Sequence, residues 1–116
     1  MRGLGGLGDI GGLMKQAQKQ LHDMQKKMHE VEEDLRERIV EGSAGGGMVR
    51  VMFNGMQEPV DVKIDPQVLQ DEGPEFVQEM ILAAMRQGLS RAKELEKAER
   101  DKVTGKLGLP GLEGLM

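Results

Sequence analysis

Between residues 13 and 37 the chain holds neither glycine nor proline, and its apolar side chains return at alternating intervals of three and four. Met14, Ala17, Leu21, Met24, Met28, Val31 and Leu35 make up this series. Such spacing lines them along one seam of an α-helix, at the a and d positions of three heptads. At a rise of about 1.5 Å per residue the helix is roughly 37 Å long. A seam of that length exceeds what a sheet from so short a chain can cover. Asp9 and Gly12 are both eligible to open the helix, and the pattern does not choose between them.

The period then changes from helical to two. Arg38–Glu41 reads as a short strand ended by Gly42-Ser43-Ala44-Gly45-Gly46-Gly47. Met48–Phe53 and Met56–Ile64 flank Asn54-Gly55, a two-residue type I′ hairpin signal. That turn predicts Phe53 opposite Met56, Val51 opposite Glu58 and Val49 opposite Val60. Val49, Val51, Phe53, Met56, Val60, Val62 and Ile64 then share one face, with Glu58 the exception. Pro59 cannot donate to a ladder, which predicts an edge strand or a bulge there. Asp65-Pro66 suits an N-cap and first helical position, for one turn through Leu69.

Pro74 and Glu75 open a second long helix, expected to run to about Val103 before Gly105. Its apolar stripe is Val77, Ile81, Ala84, Gly88, Ala92 and Leu95. Ala84, Gly88 and Ala92 form a small-residue ridge that admits close approach of another backbone, either the sheet or a helix. The expected fold is therefore α+β: a long N-terminal helix, a three-stranded antiparallel sheet and a long C-terminal helix, in one domain over residues 13–103.

Composition sharpens the ends of this picture. Glycine supplies 17 of 116 residues, about twice its ordinary share of roughly 7%. Ten of them fall in residues 1–12 and 104–116, Gly/Leu-rich segments that read as flexible tails. Phe53 and Phe76 are the only aromatics, so nucleobases have few rings to stack on. Cysteine is absent, which excludes a disulfide framework and a thiolate metal site. No apolar run has the length of a signal peptide core or a membrane span, and a cytoplasmic chain is expected.

Catalytic chemistry finds no constellation. Ser43, Ser90 and Thr104 are the only side-chain aliphatic hydroxyls, and neither serine sits in a G-x-S-x-G turn. The Gly42–Gly47 loop lacks the Lys-Ser/Thr of a phosphate-binding loop. His22 and His29, seven residues apart, are separated by about 10.5 Å along a helix, too far to chelate one metal unaided. The Glu32/Glu33 pair belongs to a solvated helix segment. No enzyme activity, cofactor, metal or small-molecule substrate is expected.

Charge is more informative in its placement than in its total of −4. Residues 1–29 carry five Lys/Arg against two Asp, and residues 30–41 carry two Arg against six acids. Lys15, Lys19, His22, Lys26 and His29 lie on the helix ridge opposite the seam. Arg86, Lys93, Lys97 and Arg100 form a comparable ridge on the second helix, on the side away from Gly88. Cations on a presented face are what phosphate contacts need. The bland reading is an ordinary solvated surface, with Asp23, Glu94, Glu96 and Glu99 diluting the field.

Several motifs occur in a telling order: the Gly-Leu start leading into Leu13-Met14-Lys15-Gln16-Ala17-Gln18, the Gly-rich loop before Met48-Val49-Arg50-Val51, Asn54-Gly55, and Val62-Lys63-Ile64-Asp65-Pro66-Gln67-Val68-Leu69. Over about residues 3–100 the chain resembles the YbaB/EbfC family. The resemblance implies a small bacterial nucleoid-associated protein that binds double-stranded DNA. It also implies two long helices around a three-stranded sheet, and homodimers with projecting, tweezer-like helices. On that reading Lys15, Lys19, Lys26 and Lys27 of the first helix, with Arg91, Lys93, Lys97 and Arg100 of the second, are the DNA-binding candidates. Met14, Leu21, Met24, Met28 and Val31, with Ala84, Gly88 and Ala92, are the dimer or helix-packing candidates. The alternative is a protein-interaction module whose Met-rich seam docks partner helices. A third reading lays the first helix on an anionic membrane through Lys15, Lys19 and Lys26, although no membrane partner is expected.

Overall fold

The heptad seam forms α1, Arg2–Glu37. The structure, a computed structural model, describes the backbone of residues 2–106 and the side chains of residues 10–105. Helix α1 therefore begins well before residue 13 and before both eligible caps, passing through the N-terminal glycines. Glycine weakens a helix but does not block it as proline does, and extension of a formed helix costs far less than nucleation. Gly11 and Gly12 have no neighbouring atom within 4 Å of a built Cβ. Of the C-terminal segment read as a tail, residues 107–116 lie outside the described residues.

Strands β1 (Ile39–Ala44), β2 (Val49–Asn54) and β3 (Pro59–Ile64) form an antiparallel sheet in the order β1-β2-β3. β1 runs through Gly42 and Ser43 instead of ending at Glu41, in register with Val51 and Arg50 of β2. The β2–β3 register also differs from expectation. Val49 pairs with Ile64 and Val51 with Val62, rather than with Val60 and Glu58.

The Asn54 side chain is the physical reason for that difference. Its Oδ1 accepts the Met56 and Glu58 N–H groups, and its Nδ2 donates to the Glu58 carboxylate. With Gln57 N–H donated to the Asn54 carbonyl and Asn54 N–H to the Glu58 carbonyl, the hairpin has a three-residue loop. The positive φ, 65°, falls on Gln57 and not on Gly55. Gly55 serves a different purpose. Its N–H donates to the Leu35 and Arg38 carbonyls at the end of α1, and a Cβ there would crowd the Leu35 carbonyl at 2.8 Å. Because the register moves by an even number of residues, the apolar set keeps its face. The irregularity lies at Met52/Phe53, opposite Pro59.

Short α2 (Pro66–Asp71) follows, with Asp65 accepting the Gln67 N–H as its N-cap. Then α3 (Pro74–Lys106) crosses the sheet, continuing through Gly105. The core comprises Val49, Val51, Phe53, Val68, Val77, Met80, Ala84 and Ala92. Ala84, Gly88 and Ala92 thus face the sheet of their own chain, which decides between the two partners open to that ridge. A Cβ on Gly88 would meet the Phe53 ring at 2.8 Å and the Gly42 nitrogen at 3.1 Å. A Cβ on Gly42 would run into the Ala84 carbonyl oxygen and the Gly88 backbone nitrogen.

The seam of α1 is covered only toward its C-terminal end. Leu35 is fully buried and Met24, Met28 and Val31 are half-buried, whereas Met14 and Leu21 are 60% and 57% exposed. The molecule is accordingly elongated, with extents of 86 × 24 × 18 Å.

Replacing Gly42 by Ala is expected to cost on the order of 3 kcal/mol, because the new methyl meets backbone that cannot swing aside. Gly12→Ala, in open space, is expected to cause no loss. Urea unfolding of the two variants checks the contrast.

Candidate nucleic-acid interface

The basic positions separate into two groups once side chains are placed. Lys15, Lys19, Lys26 and Lys27 are exposed along α1, and Lys93 and Lys97 are exposed one turn apart on α3. None of these six makes a side-chain hydrogen bond or ion pair among the described residues. Their ammonium groups face solvent on long flexible stems, an arrangement suited to mobile phosphate contacts. Lys15, Lys19 and Lys26 share the ridge opposite the seam, so contacts made by one side of α1 leave its apolar side untouched.

The two arginine candidates are engaged with other groups of the protein, Arg91 at an exposed position and Arg100 at a half-buried one. Arg91 donates to the Glu41 carbonyl at 2.7 Å and so caps the outer edge of β1. Arg100 is half-buried between the helices. Its Nη2 lies 3.3 Å from Glu32 of α1, and its Nε lies 3.0 Å from Glu96 of α3. Glu96 also accepts from Gln57 Nε2 at 2.6 Å, extending the network to the β2–β3 turn. Arg100 therefore joins three elements, and its charge is compensated by two carboxylates. Heptad spacing carries no sign of this, since Glu32, Gln57 and Glu96 come together only when α1 lies along α3.

A second set of pairs lies beside the first, where α1 ends. Arg38, just past α1, lies 3.0 Å from Glu99 of α3, and Lys102 reaches the same carboxylate at 2.9 Å. The Lys102 hydrogen bond, followed by that of Arg38, holds the Glu99 carboxyl below its ordinary pKa. Half-exposed pairs of this kind add little stability singly. With Leu35 buried beside them, they set the line along which α1 departs from the sheet.

Hydroxyl chemistry is not assembled. Ser43 and Ser90 are exposed on different elements. Thr104 is buried, its hydroxyl donated to the Arg100 and Asp101 carbonyls. Among the described residues no cluster of His, Asp or Glu has the geometry to hold a metal ion, and no helix is long and apolar enough to cross a membrane.

The sequence model of the YbaB/EbfC DNA-binding family matches residues 7–107. The chain belongs to the YbaB/EbfC DNA-binding family. Curated relatives extend over nearly the same length. A nucleoid-associated protein of Desulfotalea psychrophila is 43% identical over 108 residues, covering 93% of this chain and 98% of that protein. One from Pelotomaculum thermopropionicum is 42% identical over 103 residues, covering 89% and 98%. Among solved structures, an uncharacterized Helicobacter pylori protein shares 34% identity with a TM-score of 0.65, over 72% of this chain and 88% of that one. The helix–sheet–helix order expected from sequence is thus the YbaB/EbfC architecture. A family described by DNA binding also agrees with the expectation of a protein that is not an enzyme.

The depressed Glu99 pKa carries a pH signature. A carboxyl whose folded pKa is lowered contributes stability above its unfolded pKa and loses it as pH falls through the folded value. Glu99→Gln is expected to be less stable than the parent at pH 7, the gap closing below the ordinary carboxylate range. Urea midpoints at pH 7 and pH 3 measure this.

Proposed function

We propose that the protein is nucleoid-associated in the cytoplasm and binds double-stranded DNA as a homodimer, through phosphate contacts made by the exposed lysines of α1 and α3. The observation that carries this reading is the row formed by Lys15, Lys19 and Lys26, exposed and without ion-pair partners among the described residues, on a helix that extends beyond the sheet. The family supports DNA as the ligand class, and the lysines supply the chemistry. A net charge of −4 is compatible with such binding because residues 1–29 carry five Lys/Arg against two Asp, and the acidic cluster Glu30–Asp34 begins only after Lys26 and Lys27. Two copies double the phosphate contacts and raise avidity without adding a contact per chain. Binding of this kind has little sequence preference, since phosphates carry no base information. Organisation of the nucleoid and gene regulation are the processes it would serve.

Arg91 and Arg100 stay outside the working surface in this proposal. Their guanidinium groups already donate to the Glu41 carbonyl and to the half-buried Glu32 and Glu96 carboxylates. Lys93 and Lys97 extend the surface on α3.

One observation favours a second reading, the docking of a helix from another protein. The seam residues Met14 and Leu21 are exposed on α1, and methionine adapts to varied apolar partners. Sedimentation distinguishes them: the first reading expects a dimer that binds duplex, the second a monomer that binds apolar helices.

Changing Lys15, Lys19 and Lys26 together to Glu is expected to weaken duplex binding by at least tenfold and to flatten its salt dependence. For the parent dimer, affinity is expected to fall by about a thousandfold between roughly 50 and 200 mM salt if about six phosphates are engaged. Fluorescence anisotropy with a labelled duplex measures both. Equal affinity of triple variant and parent overturns the assignment to α1.

A further inference from the structure

Contacts along α3 run against the residue order of the chain that precedes it. Ser43 meets Gln87, Glu41 meets Arg91, Arg38 meets Glu99, and Glu32 and Met28 both meet Arg100. Helix α1 therefore lies antiparallel to α3, and its N-terminal part continues past the end of α3. Val103 and Thr104 are buried, and Met24, Met28 and Val31 are half-buried, which marks the last stretch over which the two helices pack. Beyond it the seam of α1 stands open. Ile10, Leu13, Met14 and Leu21 are 52%, 63%, 60% and 57% exposed. Lys106, the last residue of α3, lies about 9 Å beyond Arg100 along the axis. An equal step along α1 from the midpoint of Glu32 and Met28 reaches Met24, so α3 ends where the open part of the seam begins.

The chain resumes there with Leu-Gly-Leu-Pro-Gly-Leu-Glu-Gly-Leu-Met, residues 107–116, outside the described residues. Pro110 and the glycines at 108, 111 and 114 disfavour a helix and suit an extended path. On a polyproline-type path of about 3.1 Å per residue, this segment reaches about 31 Å, whereas the seam from Met24 back to Ile10 takes about 21 Å. Three residues per turn bring Leu109, Leu112 and Leu115 to one side, a leucine about every 9 Å. Met14 and Leu21, successive a positions, recur at nearly the same step, about 10.5 Å. The flanks of the open seam are amides: Gln18, Gln20 and Gln25 hold its e and g positions. Amides donate to and accept from the free backbone groups of an extended segment. They supply none of the charge pairing by which e and g positions select a partner helix.

We propose that residues 107–116 lie extended and antiparallel to α1 along its open seam, from Leu21 toward Ile10, with their leucines set against Leu21, Met14 and Leu13. The occupant is a segment of the same chain for three reasons. It begins where the covered part of the seam ends, it has the reach to cover the rest, and it is apolar, with Glu113 its one ionic side chain. Tethering at Lys106 gives it an effective concentration on the order of millimolar, which a separate helix must outcompete. Lys15, Lys19 and Lys26 lie on the opposite ridge, so the segment covers the seam and leaves that ridge free. The inference goes beyond the DNA-binding reading and does not depend on it.

Methionine oxidation reads this cover in the full chain. Hydrogen peroxide transfers an oxygen atom to an accessible thioether, giving the sulfoxide and water. Met14 of the parent is expected to oxidise at least about threefold more slowly than Met14 of the full-length variant carrying Leu109→Asp and Leu112→Asp, by mass spectrometry of peptides. A chain ending at Lys106 is expected to match that variant. Circular dichroism establishes that each variant is folded. Because the chain has no cysteine, Leu13→Cys with Leu112→Cys gives an independent readout. Mild oxidation is expected to form a disulfide within one chain, while Lys19→Cys with Leu112→Cys, on the far ridge, forms none. Equal Met14 rates in parent and variants overturn the proposal: fast in all of them, the seam is bare, and slow in all of them, another occupant covers it. Disulfides formed only between chains overturn it too, and give the seam to a second copy. Equal disulfide yield from residues 13 and 19 likewise overturns it.

Discussion

The approach of β1 to α3 at Gly42 and Gly88 is the constraint on which the other features depend. Two backbones meet there with no side chain between them, and even a single methyl on Gly42 would collide with the Ala84 carbonyl. That contact draws α3 over β1 and β2 instead of centring it on the sheet. Val49, Val51 and Phe53 are buried as a consequence, and the Gln87 and Arg91 side chains fall within reach of the β1 edge. The same offset leaves Val60 and Val62 of β3 uncovered. A small protein with a single layer of helix on its sheet cannot cover three strands from a helix seated over the first two.

The second organising feature is the clamp between α1 and α3. Leu35 supplies apolar burial, Gly55 ties the end of α1 to the hairpin turn, and Glu32–Arg100 with Arg38–Glu99 join the last turns of α1 to α3. The ion pairs matter more for direction than for stability, since half-exposed pairs contribute little on their own. Direction is what counts in a helix that projects beyond its sheet. With α1 held at its C-terminal end, Lys15 and Lys19 are carried away from the acidic cluster Glu30–Asp34, while Lys26 lies one turn from Glu30. An acidic protein can then present a locally basic surface, because fields of separate clusters are screened over about a Debye length in physiological salt.

Much of the architecture was legible in the residue pattern, and the departures have identifiable causes. Heptad spacing predicted α1, and Asp65-Pro66 and Pro74 marked the helix starts that the structure shows. Asn54-Gly55 marked the hairpin, yet for a reason other than the usual one. Asn54 organises a three-residue loop with its side chain, and Gly55 is needed for proximity to Leu35 and not for a positive φ. A turn rule that reads only backbone preference cannot register a side-chain network or a neighbour 20 positions away. The basic residues show the same limit. Lys93, Lys97 and Arg100 look alike as a surface ridge, but only Arg100 meets Glu32, and that meeting exists because two distant helices are packed together.

What the sequence by itself determined is the set of elements, their order and which face of each one is apolar. These follow from local periodicity and from the chemistry of Asn, Pro and Gly, which act over a few residues. Only the tertiary structure decided which cations are left unpaired, which sheet edge is closed and which strand is left bare. Those outcomes depend on where α3 lands across the sheet and where α1 lies along α3. Both are settled by close contacts between residues tens of positions apart, at Gly42 with Gly88 and at Glu32 with Arg100.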